Sequence, residues 1–214
     1  MKQFESIFRG DFEKWINEKL VQKPSSIFLE MEEFAFKSKI PILSPVAGEN
    51  LKFLVEVFQP SRILELGTGL GYSTAWMLAS QLDLEIVTID RNLEALNWAE
   101  SFMKKLISNN QKVIYLKAHC LHYLREQENI NSYDFIFVDC DKITYPEILE
   151  ILVTKTSKNT KLVFDNVLWH GRLDPSLYTR PSDRAIQKFW EIVISKKLKR
   201  TLIPAGDGLL LIKL

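Results

Sequence analysis

Arg62-Ile63-Leu64-Glu65-Leu66-Gly67-Thr68-Gly69-Leu70-Gly71-Tyr72-Ser73 decides the fold. A short apolar run enters a turn with glycine at every second position, and a helix-compatible stretch follows. The run suits a strand covered on both faces. Glycines allow positive φ and let a ligand approach the main chain, and the helix that opens there begins with unpaired N–H groups. The segment therefore predicts a cradle for a nucleotide-type cofactor; the competing reading is tight strand–helix packing with no ligand. In Glu85-Ile86-Val87-Thr88-Ile89-Asp90 a second strand ends in an acid 23 residues after Gly67, about where a ribose-binding carboxylate follows such a turn.

Working outward, strands are predicted at 62–66, 85–90, 113–117, 134–139 and 160–165. Helices are predicted at about 72–81, 92–108, 145–153 and 184–195. Upstream, Phe4, Ile7, Phe8, Phe12, Trp15, Ile16 and Leu20 recur at helical spacing. A second helix is expected around Ile27–Phe36 after Pro24-Ser25-Ser26, and a third after Pro45, ending before Pro60. Thr201-Leu202-Ile203 and Leu209-Leu210-Leu211-Ile212 flank a Pro204–Gly208 turn and read as an antiparallel hairpin. The whole predicts one α/β domain over 1–214 with a doubly wound, Rossmann-like, mostly parallel sheet. Residues 1–45 form a helical extension that packs on the domain or on a partner subunit.

Composition narrows the function. A formal net charge of +1 argues against a field-driven nucleic-acid binder, whose phosphate contacts normally show as a basic excess. No apolar run is long enough to span a membrane, and Met1–Phe12 lacks a secretory apolar core. Two cysteines, Cys120 and Cys140, are too few for a disulfide scaffold. A cytoplasmic enzyme with a small-molecule partner is expected.

Two features discriminate among cofactors. Gly71 falls one position early for the dinucleotide fingerprint G-x-G-x-x-G. Glu65, just before the turn, would repel a pyrophosphate; it suits a cationic ligand or one offering hydroxyl and amino donors. S-adenosylmethionine fits that description better than a nicotinamide. Asp90 is expected to accept both ribose hydroxyls. A nicotinamide-dependent oxidoreductase is the alternative enzyme, and a catalytically silent binding module the alternative outside enzymes.

A second constellation lies further on. Tyr133-Asp134-Phe135-Ile136-Phe137-Val138-Asp139-Cys140-Asp141-Lys142 is an apolar strand ending in two acids and a lysine. Leu162-Val163-Phe164-Asp165-Asn166 ends in an acid and an amide. Neighbouring strand ends would gather Asp139, Asp165 and Asn166, an oxygen set suited to a hard divalent cation: Mg²⁺ first, with Mn²⁺ and Ca²⁺ also accommodated. Capping of helices and turns is the competing role for such residues.

Glu65–Thr74, Val138–Lys142 and Asp165-Asn166-Val167-Leu168-Trp169-His170-Gly171, together with Leu43-Ser44-Pro45, Gly48 and Pro204–Gly208, resemble the signature blocks of one family. It is the divalent-cation-dependent class I O-methyltransferases of the caffeoyl-CoA and catechol type. The resemblance implies a seven-stranded sheet and methyl transfer from S-adenosylmethionine to one hydroxyl of a vicinal dihydroxy-aromatic acceptor, usually in a homodimer. It implies that Glu65, Gly67, Gly69, Tyr72, Ser73, Asp90 and Asp139 line the cofactor, with Leu43 and His119 bordering it. Asp139, Asp165 and Asn166 would hold the metal, Asp139 and Lys142 would be catalytic, and Lys142 and Trp169 would face the acceptor. Lys142 would either remove the hydroxyl proton or hold the phenolate by charge. The sequence departs from the family's pattern at Cys140, between the two acids, and at Ala118-His119-Cys120, beside the expected adenine position. Residues 170–184, with Gly171, Pro175 and Pro181, read as a mobile loop over the site.

Overall fold

The computed structural model describes residues 10–214; Phe4, Ile7 and Phe8 of the predicted first helix lie outside them. Three helices come first: α1 (Gly10–Lys19), α2 (Ser26–Ser38) and α3 (Pro45–Phe58). Ser44 caps α3 by accepting from the Ala47 amide, and Pro45 occupies the first turn, where a missing N–H costs nothing. Then β1 (Arg62–Leu66), α4 (Tyr72–Leu78), β2 (Glu85–Asp90), α5 (Leu93–Met103), β3 (Lys112–Lys117) and α6 (Cys120–Glu126) alternate. They are followed by β4 (Phe135–Val138), α7 (Tyr145–Lys155), β5 (Lys161–Phe164), α8 (Pro181–Ser195), β6 (Lys199–Ile203) and β7 (Leu209–Lys213).

The strands form one seven-stranded sheet in the order β3-β2-β1-β4-β5-β7-β6, with β7 antiparallel to both β5 and β6. All five parallel strands were legible as apolar runs; the four inner ones are covered on both faces, and the edge strand β3 is half-buried. One apolar cluster joins Phe28, Met31, Leu51 and Trp76 to one face. The other joins Leu124, Ile148, Leu149, Phe189 and Val193 to the opposite face. Gly48 permits the closest contact on the first side, since a Cβ there would stand 2.2 Å from the Trp76 indole nitrogen. That ring in turn meets Phe28 edge-on at 4.7 Å.

Three differences from the sequence reading have local causes. α4 ends at Leu78 and α5 at Met103, short of the predicted 81 and 108, because their last turns tighten into i→i+3 hydrogen bonds such as Ser80 N to Met77 O and Leu106 N to Met103 O. α6 had no predicted counterpart: seven residues, of which only Cys120, Leu121 and Leu124 are buried, give too little periodicity to register. α8 begins at Pro181 rather than 184, with Pro in its first turn and Asp183 accepting from the Arg180 amide. Among the described residues no helix is long and apolar enough to cross a membrane.

Candidate functional site

The parallel strands β1, β2, β4 and β5 run in register, so their carboxyl ends lie side by side. The residues that follow them line one cavity of about 810 Å³. It receives Gly67, Gly69, Tyr72 and Ser73 from the glycine turn, Asp90 after β2, and His119 before α6. Asp139, Lys142, Asp165, Asn166 and Trp169 come from the opposite side, and Leu43 from the segment before α3. Every predicted site residue except Glu65 is therefore brought to one cavity.

The glycine turn and the acidic strand tip are built against each other. Gly67 has φ +103°, and a Cβ on it would lie 2.1 Å from the carbonyl oxygen of Asp139. No side chain fits there, so the two motifs share one wall. Asp90 joins the same turn: its Oδ2 accepts from the Gly69 amide at 3.0 Å and its Oδ1 from Asn92 N at 2.9 Å. Tyr72 is buried and donates from its hydroxyl to Glu32 Oε1 at 2.5 Å; burial and that carboxylate push its pKa well up.

Glu65 stands apart from the other predicted site residues. Its carboxylate is fully buried behind the turn and does not line the cavity. Hydroxyls of Ser73, Thr74 and Thr88 donate to it at 2.6, 2.5 and 2.6 Å. Desolvation raises its pKa to about 7 against the lowering effect of those three donors. The residue ties β1, α4 and β2 together from within. Position at a strand end was readable; which way the side chain points was not, since both faces of β1 are buried.

The acidic tip is different in kind. Asp165 is 1% exposed, yet its Oδ1 has no hydrogen-bond partner. Burial, then the neighbouring Asp139 carboxylate, lifts its pKa to about 8. Lys142 spans Asp139 and Tyr145: its Nζ donates to Asp139 Oδ1 at 2.6 Å, to Tyr145 Oη at 2.8 Å and to Cys140 O at 3.4 Å. All three ammonium donors are engaged. The Tyr145 hydroxyl donates a shared hydrogen bond to the Val138 and Asp165 carbonyls at 2.9 and 3.0 Å, which keeps the β4 and β5 tips together. Asn166 follows Asp165 with φ +57°, a conformation asparagine tolerates better than most residues.

This arrangement fits a hard cation. Asp139, Asp165 and Asn166 line the same cavity, and one buried carboxylate oxygen of Asp165 lacks a donor; such a group is costly unless something compensates it. Among the described residues no cluster of three or more histidine, cysteine or carboxylate side chains is arranged to hold a metal; Asp139, Asp165 and Asn166 offer two carboxylates and one amide oxygen.

Trp169 lines the cavity half-buried, and its indole N–H donates to Asp183 Oδ1 at 2.8 Å. Asp183 is fully buried and also accepts from Arg172 Nε at 2.9 Å, Arg172 Nη2 at 2.7 Å and Arg180 N at 3.0 Å. The Arg172 guanidinium and the indole hold its pKa far below the usual carboxylate range. Arg172 also lies 4.4 Å over the Tyr178 ring. The segment read as a mobile loop is thus tied down near both ends, at Arg172 and Arg180, by one carboxylate. His119 has an unpartnered Nδ1, and its ring lies 5.0 Å from His122. The cavity-lining residues that were not predicted to act there include Thr68, Arg91, His170 and Thr144, whose hydroxyl faces Cys140 at 3.8 Å.

The sequence profile of a family described as "O-methyltransferase" matches residues 18–214. The Dictyostelium discoideum protein named "Probable caffeoyl-CoA O-methyltransferase 2" is 30% identical over 167 residues, covering 75% of this chain and 72% of that protein. The catechol O-methyltransferase of Niastella koreensis is 29% identical over 149 residues, covering 69% of this chain and 67% of that one. In structure the chain is similar to an O-methyltransferase from Bacillus cereus solved in complex with SAH, with TM-score 0.79 and 24% identity over 95% of this chain and 97% of that one.

Proposed function

The chain belongs to the O-methyltransferase family, in the caffeoyl-CoA and catechol branch to which its curated relatives belong, and from that premise we propose that it methylates one hydroxyl of a vicinal dihydroxy-aromatic acceptor with the help of a divalent cation, Mg²⁺ first. The methyl donor of this family is S-adenosylmethionine. The observation that carries the metal reading is the orphaned, buried Asp165 oxygen beside Asp139 on the cavity wall shared with the glycine turn.

The bound groups would supply an electrophilic methyl on a sulfonium and a Lewis acid that eases ionisation of a phenol. The chain's own residues do the rest. Gly67 and Gly69 bare the backbone toward the cofactor, and Asp90, already oriented by the Gly69 amide, offers its carboxylate to ribose hydroxyls. Leu43 and Tyr72 narrow the cavity beside it. His119 presents its free Nδ1 to the adenine side. Asp139, Asp165 and Asn166 would hold the cation. Lys142, with its donors spent, acts by charge on the developing phenolate, the second of the two roles the resemblance left open. Trp169, fixed through Asp183, forms a wall for the acceptor ring. Acceleration then comes from alignment of acceptor oxygen and methyl and from charge placed where the oxyanion develops. Self-association belongs to the same reading, supported by Leu29, Phe36, Phe53 and Val57, which leave apolar side chains exposed on α2 and α3.

The test is a methyl-transfer screen with S-adenosylmethionine over catechols, flavonoid phenols and CoA-linked hydroxycinnamates, after chelation and with Mg²⁺ restored. The expected outcome is turnover that EDTA abolishes and Mg²⁺ returns. Turnover that survives exhaustive chelation overturns the metal role, and none on any vicinal diphenol overturns the acceptor class.

A further inference from the structure

Asp139, Lys142 and Tyr145 recur at every third position between the tip of β4 and the start of α7. The chain there passes through a 3₁₀ turn, Lys142–Thr144, a geometry that brings side chains three positions apart over one another. Asp141 caps the turn by accepting from the Ile143 amide at 3.1 Å. A carboxylate, an ammonium and a phenol are stacked as a result. Lys142 Nζ donates to Asp139 Oδ1 at 2.6 Å on one side and to Tyr145 Oη at 2.8 Å on the other. It also stands 4.7 Å from the centre of the Tyr145 ring.

A phenol oxygen has one proton to give, and an ammonium can only donate. The Tyr145 proton is shared between the Val138 and Asp165 carbonyls, so the oxygen's lone pair is what remains for Lys142. The direction of every bond at this hydroxyl is thereby fixed. Both carbonyls lie where the candidate metal ligands begin: Val138 is the residue before Asp139, and the other carbonyl is Asp165's own. Tyr145 is fully buried, and Phe164 and Phe189 meet its ring at 5.4 and 5.7 Å. It does not line the cavity. A lysine stem is long and flexible, whereas this phenol is anchored to two strands and packed on its faces.

We propose that Tyr145 is a positioning residue for Lys142, holding the ammonium beside Asp139 where its charge meets the developing phenolate; this inference rests on the methyl-transfer reading above. Without the phenol oxygen, the ammonium keeps as partners Asp139 Oδ1 and, at 3.4 Å, Cys140 O. Both come from the same short segment after β4, and nothing then ties the ammonium to β5. The hydroxyl itself exchanges no proton with the acceptor. It acts only through where Lys142 stands.

Tyr145→Phe keeps the ring and removes only the hydroxyl. With a turned-over diphenol at saturating S-adenosylmethionine and Mg²⁺, kcat per folded molecule is expected to fall roughly 10- to 100-fold. Both KM values should hold within about two-fold, since the lost contact is not with a substrate. Lys142→Met separates positioning from general loosening: in that background Tyr145→Phe should change kcat by less than about two-fold, because the group it positions is gone. Unaltered kcat in the single variant, or losses that multiply in the double variant, overturn the inference. The ligand-free protein gives a second reading that needs no turnover. In the wild type the Lys142 ammonium should show a slowly exchanging NMR signal, identified by its absence in Lys142→Met, with a nuclear Overhauser contact to the Tyr145 ring. Tyr145→Phe should broaden or abolish that signal. A wild-type spectrum without the contact, or a signal indifferent to Tyr145→Phe, overturns the pairing. If the wild type methylates no oxygen acceptor, the parent reading fails, and the ammonium signal still decides whether Tyr145 fixes Lys142.

Discussion

Glu65 and Asp165 are two buried carboxylates at strand ends, with only β4 between their strands, and they have opposite environments. Both are desolvated and both have raised pKa values, about 7 and about 8. Glu65 accepts from three hydroxyls and faces no cavity. Asp165 has an oxygen with no donor, a second carboxylate nearby, and a cavity in front of it. Burial alone therefore does not separate a structural acid from a functional one. What differs between these two is hydrogen-bond satisfaction.

The largest expected effect breaks the pair apart by activity. Asp165→Ala should cut methyl transfer by about 1,000-fold or more, a loss of roughly 4 kcal/mol of transition-state stabilisation. It should leave the melting temperature unchanged or raised, because a buried oxygen with no hydrogen-bond partner is removed. Glu65→Ala should do the reverse in stability, costing about 3 kcal/mol or more by leaving a cavity and stranding three hydroxyls. Kinetics and thermal melts of both variants check this; equal loss of stability in the two would erase the distinction.

The pH dependence of stability sharpens it next. Glu65 binds its proton more tightly folded than unfolded. Its contribution is therefore full below the unfolded value of 4.5 and is lost as pH rises through about 7. Ligand-free protein should lose roughly 3 kcal/mol over that window. Glu65→Gln, which cannot ionise, should flatten the slope there. Denaturant unfolding at pH 5 and 8 for both proteins is the measurement; parallel slopes would show that Glu65 does not titrate in this range.

Cation binding should distinguish the two acids more gently. Mg²⁺ at about 100 times its dissociation constant would stabilise the wild type by about 2.7 kcal/mol, visible as a rise in melting temperature. Glu65→Gln should keep that rise and Asp165→Asn should lose it. A rise retained in Asp165→Asn would place the ion elsewhere.

The contrast also explains what could be read from the sequence. The five parallel strands and the turn were legible because apolar runs and glycine spacing are local signals. Asp139, Asp165 and Asn166 were legible because strand ends in a parallel sheet share one edge, so position in the chain implied position in space. The direction of the Glu65 side chain was not legible, because β1 is buried on both faces and alternation then says nothing about direction. Its three donors come from α4 and β2, and no spacing rule links them. His170 and Asp207 stand 37 residues apart and meet only because β7 returns antiparallel beside β5. Asp183 did carry a signal: Pro181 and Asp183 sit at the first and third positions of a helix. Its grip on Trp169 and Arg172, however, is a tertiary fact.

The smallest effect probes how Glu65 is divided among its donors. Thr74 donates to Glu65 Oε2 at 2.5 Å and does not line the cavity, unlike Ser73. Thr74→Val keeps the shape and removes one donor, so it should cost about 1–2 kcal/mol. It should also raise the Glu65 pKa further, since that hydroxyl lowers it, moving the loss of stability to higher pH. The rate of methyl transfer should hold within about two-fold, because neither residue touches the cavity. Combining Thr74→Val with Glu65→Gln gives a double-mutant cycle whose coupling energy isolates this one hydrogen bond. A coupling near zero would mean that Thr88, which reaches the same oxygen at 2.6 Å, satisfies it alone.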